Sequence, residues 1–295
     1  MPSTPFLYPG TPHLLFQIKF VTCKIFQNFI TMALNSPKEV IKSAIEIGAN
    51  KVALSSGKYG KLTVLAMLAG IYISMGGVLS LIIGFGFPEI TADNPSLQRI
   101  LSGAMFPIGL ILVVILGAEL FTGNNALLIP SYLAKRHSFF AVIRNWMLVY
   151  IGNFLGAIMF TYLFVYLCGL TTNEPYHSAI IKIAEAKVSM PWITVFLKGI
   201  GANWFVCLAV WLALSGKSLL AKMAGCWLPV MVFVALGYEH SIANMFFIPA
   251  GMLEGANVEI MQAITTSFIP ATLGNIVGGA VFVGCAYYYV NRPDK

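Results

Sequence analysis

The chain has 295 residues, of which 58% are hydrophobic and only 10% charged, and it carries a formal charge of +7 at pH 7; its mean hydropathy is +0.81. A soluble globular domain carries about 25% charged residues, so the composition excludes that class and points to an all-α polytopic membrane protein. The positive balance is then a matter of loops and topology, not of a nucleic-acid-binding surface.

Residues 1–31 contain Phe, Ile and Leu but are broken by Pro2, Pro5, Pro9, Pro12, Lys19 and Lys24. A secretory signal places basic residues first, then an apolar run and a cleavage site, and that order is absent here. Met32 stands just before a helix start, Asn35-Ser-Pro-Lys, and is a candidate translation start. Residues 1–35 are therefore read as an extension, either disordered or upstream of the native start, and 36–61 as a cytoplasmic amphipathic segment.

Six apolar stretches long enough for a hydrocarbon core of ~30 Å follow at Leu62–Phe87, Ile100–Leu116 continuing to about Leu133, Phe139–Leu170, Trp192–Leu214, Met223–Phe247 and Ala263–Val290. They define a channel domain over 62–290 with a short tail, 291–295. Lys38, Lys42, Lys51, Lys58 and Lys61 precede the first span. Lys135, Arg136 and Arg144 follow the second, Lys217 and Lys222 the fourth, and Arg292 and Lys295 the sixth. Short cytoplasmic loops collect such residues, which puts both termini on the cytoplasmic side of the plasma membrane. The alternate loops carry Glu89, Asp93 and Arg99, then Glu174, Lys182, Glu185 and Lys187, then Glu254 and Glu259.

Spans two and five are interrupted by one pattern, G-x-E-x4-N, at Gly117-Ala-Glu119-Leu-Phe-Thr-Gly-Asn124 and Gly237-Tyr-Glu239-His-Ser-Ile-Ala-Asn244, about 120 residues apart. Non-helical backbone at membrane depth survives only where protein or a water-filled cavity satisfies it, so the pair predicts a pore built from two broken helices. A second pattern, G-N-x-x-G, recurs at the same displacement as Gly152-Asn153-Phe-Leu-Gly156 and Gly274-Asn275-Ile-Val-Gly278. Three spans, an odd number, separate the copies, so the halves, about 62–170 and 192–290, form an inverted 3+3 repeat. The glycines read as close-packing positions, whereas Asn153 and Asn275 either tie helices together or serve the pore. The cysteines Cys23, Cys168, Cys207, Cys226 and Cys285 stand singly, without zinc-ligand spacing, and read as inert thiols. No metal or cofactor is expected.

These segments, with Asn145-Trp-Met-Leu-Val-Tyr-Ile-Gly-Asn153, Asn203-Trp-Phe-Val-Cys-Leu-Ala-Val-Trp211 and Ile269-Pro-Ala-Thr-Leu-Gly-Asn275, resemble the signature segments of the formate/nitrite transporter family from about Ser36 to Val290. The resemblance implies an aquaporin-like fold, a pore within each subunit of a homopentamer, and a pH-dependent channel or proton-coupled carrier for formate and related small monovalent anions such as nitrite, lactate or acetate. Taken alone, His240 reads either as a core histidine or as a pore group. The family's G-x-E-H-S motif makes it the central proton-handling residue, with the Thr122 hydroxyl and the Asn203 amide beside it.

By the same resemblance, apolar constrictions fall at Phe106, Leu110 and Leu120 on the cytoplasmic side and at Val206 and Phe233 on the outer side. Lys51 and Lys187 stand at the inner and outer mouths to concentrate anions, and Glu119, Asn124, Glu239 and Asn244 hold the broken segments. Glu119 replaces the aspartate of many members, the stretch after Lys187 lacks histidines that some carry, and Lys198 has no counterpart in the pattern. The implied mechanism brings the anion in, protonates it near the centre and passes it as the weak acid. Hydrosulfide would obey the same logic. A water or glycerol pore is the neutral alternative, but paired Asn-Pro-Ala segments are absent. A membrane enzyme finds no H-E-x-x-H or G-x-S-x-G motif.

Overall fold

The computed structural model describes residues 34–292, and apart from one bridge pairing Leu34 with Gly216 the regular structure in them is helical. The candidate start Met32, the rest of the extension up to residue 33, Cys23 and the final three residues lie outside the described residues. Helix α1 (Pro37–Leu54) begins at a capping box: Glu39 N–H donates to the Ser36 hydroxyl and the Ser36 N–H to the Glu39 carboxylate, with Pro37 in the first turn. Asn35 is tied to the end of the fourth span, its N–H to the Ser215 carbonyl and its amide to the Leu214 carbonyl, both at 2.8 Å.

The chain then runs through α2 (Tyr59–Phe85), a short α3 (Pro88–Thr91), α4 (Pro95–Leu116), α5 (Phe121–Leu133), α6 (Phe139–Tyr166), α7 (Tyr176–Ser189), α8 (Trp192–Ser215), α9 (Leu219–Ala235), α10 (Ser241–Leu253) and α11 (Ile260–Asn291). Helices α2, α4, α6, α8 and α11 are each long and apolar enough to cross a membrane. The fifth crossing is divided between α9 and α10, and α5 continues the second beyond its break. Six spans with the second and fifth interrupted are therefore present. Three of the loop charges of the third connection, Lys182, Glu185 and Lys187, fold instead into α7, which packs on α10 as α1 packs on α5. The inverted repeat thus includes a peripheral helix in each half.

Tight packing of the halves follows from the glycines. Helix α6 lies against α2, and α11 against α8. A Cβ at Gly156 would strike the Met67 carbonyl, and one at Gly278 the Ile200 carbonyl and the Trp204 nitrogen. Without a hydrophobic driving force between helices in lipid, such backbone approach is what van der Waals association requires. Helix α11 widens to π-helical turns over Ala263–Phe268 and again over Val277–Cys285 around that contact. Outside this packing, Phe140, Met147, Ile151, Leu197, Trp204 and Phe282 are exposed, an apolar belt suited to lipid or neighbouring subunits.

Both breaks have one design. Gly117 and Gly237 reverse the chain with φ of 74° and 69°, a left-handed conformation that side chains other than glycine adopt only with strain. Leu120 and His240 are then extended before α5 and α10 begin. The freed backbone groups are met by one asparagine on each side. Asn153 accepts from the Phe121 N–H at 2.9 Å and donates to the Ala66 and Glu119 carbonyls at 2.7 and 2.8 Å. Asn275 accepts from the Ser241 N–H at 2.8 Å and donates to the Gly199 and Glu239 carbonyls at 2.8 and 3.0 Å. The open reading of these two residues resolves into tying helices together at the breaks.

Asn275→Leu strips three hydrogen bonds from buried backbone, each left-over group costing about 1–3 kcal/mol, and is expected to abolish recovery of a monodisperse folded protein in size-exclusion chromatography, with Asn275→Asp, which keeps only the acceptor, intermediate. Gly278→Ala should lower the thermal midpoint of the purified protein by an overpacking cost of about 1–3 kcal/mol. Gly57→Ala, where a Cβ meets nothing within 4 Å, should leave that midpoint unchanged.

Candidate functional site

Two cavities approach the breaks from opposite faces and share no lining residue. The larger, about 250 Å³, is lined by Phe106, Lys187, Phe233, Glu239, His240 and Asn244 among others. The smaller, about 180 Å³, is lined by Lys51, Leu110, Leu120, Asn124 and their apolar neighbours. Between them the protein is closed by buried side chains, and the polar contact at this depth joins the two halves: His240 Nε2 lies 3.0 Å from Thr122 Oγ1, with both residues almost fully buried.

His240 sits at the N-cap of α10, and this position decides its chemistry. Its Nδ1 accepts the Ala243 N–H at 3.1 Å, and a nitrogen that accepts from an amide carries no hydrogen. In the neutral ring the proton therefore resides on Nε2, directed at the Thr122 oxygen. The Thr122 hydroxyl accepts that hydrogen and keeps its own free to rotate. Phe233 stacks on the imidazole with centroids 5.8 Å apart, and Phe106 meets Phe233 edge-to-face at 5.9 Å.

Phe106 is thus on the Lys187 side, not with Leu110 and Leu120 on the Lys51 side as the sequence reading placed it. Helix α4 starts at the Lys187 face and runs toward the break, so Phe106 lies one turn, about 6 Å, nearer its starting face than Leu110. Val206 is buried but lines neither cavity.

Asn203 lies beside Thr122 as expected, yet its amide is engaged with protein. Nδ2 is within reach of the Thr122 carbonyl and Asn125 Oδ1, both at 3.1 Å, and of the Asn275 carbonyl at 2.6 Å. It joins α8 to α5, which follows the first break, and to α11 at Asn275, the residue that holds the second. Asn125 was missed from sequence; its only signal is the doubled Asn124-Asn125.

The charged residues form two matching sets. Lys51 Nζ, in the last turn of α1, is 2.9 Å from Glu119, whose other oxygen accepts from Asn124 at 2.8 Å. Lys187 Nζ, in the last turn of α7, is 2.9 Å from Glu239, which accepts from Asn244 at 2.8 Å. Asn124 also donates to Asn145 and Asn244 to Ser267. The carboxylates are therefore neutralised where they would otherwise repel an anion, and the lysines are ion-paired, not free charges at the mouths. Lys198 lines neither cavity; its Nζ is 3.5 Å from the Met190 sulfur, and its carbonyl accepts the Glu239 N–H at 3.4 Å. Cys207 and Cys226 are buried, Cys168 and Cys285 exposed, and all four are free thiols. Among the described residues no group of His, Cys, Asp and Glu is arranged to hold a metal ion.

The family described as "Formate/nitrite transporter" matches residues 38–289. The chain is 39% identical to a probable formate transporter of Methanothermobacter thermautotrophicus over 86% of its own length and 96% of that protein's. It is 38% identical to a formate channel of Bacillus thuringiensis over 87% and 96%. A solved pentameric formate channel with formate bound superposes with a TM-score of 0.68 at 34% identity, covering 79% of this chain and 97% of the other. The broken spans, the inverted repeat and these matches together make the chain a multi-pass membrane protein of the formate/nitrite transporter family, a family of transporters and channels, not of enzymes.

Proposed function

We propose that the protein moves formate and related small monovalent anions across the plasma membrane through a pore in each subunit of a homopentamer, with both termini cytoplasmic. The observation that carries this reading is the buried His240–Thr122 contact closing the space between two small cavities. The relatives named above support the substrate class, and the pentameric neighbour supports the assembly.

The chemistry follows from cost. An isolated ion in an apolar medium costs tens of kcal/mol by idealised Born estimates, so a bare anion does not pass Phe106, Phe233, Leu110 and Leu120. Moving a proton from an imidazolium of reference pKa about 6.5 to a carboxylate near 4 costs roughly 3.4 kcal/mol in water. An apolar surround penalises the ion pair relative to two neutral partners and so offsets that cost. In this scheme the anion reaches His240 as Nδ1 gives up its bond to the Ala243 N–H and binds a proton from the vestibule, and the resulting imidazolium passes its Nε2 hydrogen to the anion, directly or through the Thr122 hydroxyl. The permeant passes the second constriction as the weak acid and releases the proton beyond it. Loss of the Nδ1 hydrogen and return of one to Nε2 then restore the neutral ring and its cap on the Ala243 N–H. Nitrite and hydrosulfide meet the same requirement, being conjugate bases of weak acids.

Labelled formate uptake into liposomes containing the purified protein should exceed that of protein-free liposomes and rise as the outside is acidified. Equal uptake in the two at every pH would remove formate as a permeant. His240→Phe should cut the pH-dependent flux by at least tenfold, and retention of the wild-type pH profile would remove the proton role. Thr122→Val should reduce flux while Thr122→Ser preserves most of it, as read from initial rates.

A further inference from the structure

The residues lining the Lys187-side cavity carry one charge that the ion pairs do not cancel. Lys187 is held by both oxygens of Glu239, at 3.1 and 2.9 Å, and lies 5.6 Å from the centroid of Phe247. To an approaching anion that pair is a dipole, not a unit charge. Arg99, on the first turns of α4, lines the same cavity, is exposed, and makes no ion pair or hydrogen bond among the described residues. The Lys51-side cavity has no equivalent, since its lining cation Lys51 is paired with Glu119. The spacing that separates Gly117 from Gly237 carries Arg99 onto Leu219, so the repeat supplies no second copy of this charge.

We propose that Arg99 is the anion-capturing residue of this vestibule, drawing small carboxylates toward Phe106, Phe233 and His240. The proposal rests on the transport reading above. A cavity with low-dielectric walls focuses the field of a single cation, and the guanidinium presents a planar fork suited to a carboxylate. Lys187 and Lys51 act in this picture as anchors for Glu239 and Glu119. Its signature is electrostatic: the contribution of an exposed charge is large at low ionic strength and fades as the screening length shortens from about 30 Å at 0.01 M to 3 Å at 1 M.

The test is labelled formate exchange in proteoliposomes of the full chain, below saturation and at equal pH on both sides. Permeability is then the same from either face, so mixed orientation of the protein does not blur the result. Wild type, Arg99→Gln and Arg99→Lys are compared at low and high salt. Arg99→Gln is expected to lower the low-salt rate about three- to tenfold and to flatten its salt dependence. Arg99→Lys should keep most of both, and all three should converge at high salt. A wild-type rate and salt response in Arg99→Gln, in vesicles where wild type does exchange formate, would overturn the proposal alone. A wild type that exchanges no formate would overturn the transport reading and this proposal with it. Loss of rate in Arg99→Gln that persists at high salt would reveal a structural defect and also count against it.

Discussion

Breaking a helix inside a membrane frees backbone donors and acceptors where no bulk solvent can meet them, and the rest of this structure is arranged around that constraint. Asn153 and Asn275 each supply one acceptor and two donors, enough to join the restarting helix, the segment before it and a neighbouring helix at one point. Close approach through Gly156 and Gly278 brings the helices that carry those asparagines within range. Glycine, asparagine and glutamate in these patterns are therefore parts of one solution, and the apolar helices around them only have to span and pack.

The second layer of the solution is ionic. A carboxylate at each break accepts from an asparagine one turn into the following helix and from a lysine on a peripheral helix. Removing one partner of a buried pair leaves an uncompensated charge and is strongly destabilising, about 3–5 kcal/mol. The peripheral helices α1 and α7 are thereby fixed at the two mouths, and the route between them is electrically quieter than a count of its lysines implies. The polar groups not committed to architecture include the His240 Nε2 hydrogen and the Thr122 hydroxyl between the cavities and Arg99 in the Lys187-side vestibule.

Much of this was legible in the sequence. Hydropathy marked six spans, and the displaced copies of G-x-E-x4-N and G-N-x-x-G gave the breaks and the inverted symmetry, because a repeated polar interruption in an apolar run has few physical uses. Pairing was not legible. Lys51 and Glu119, or Lys187 and Glu239, are far apart in the chain, and nothing local distinguishes a lysine bound to a carboxylate from one in water. Nor was the helix α7 evident, since its charged residues Lys182, Glu185 and Lys187 read as a loop. Phe106 was assigned to the wrong side because the family pattern identifies a constriction residue without its depth. Depth follows only once α4 is known to start at Pro95 and to descend from the Lys187 face.

The two extended residues at the breaks hold equivalent places, and they differ. His240 caps its helix with Nδ1, whereas Leu120 has no side-chain cap and its helix begins all the same. Architecture thus tolerates either residue at this point, because the asparagine and the ion pair already hold the break. A two-fold scaffold with that tolerance has a position free to differ without loss of fold: one copy is a leucine and the other an imidazole. The two-fold plan is thus kept in the backbone breaks and the ion pairs, while the imidazole stands on one side only.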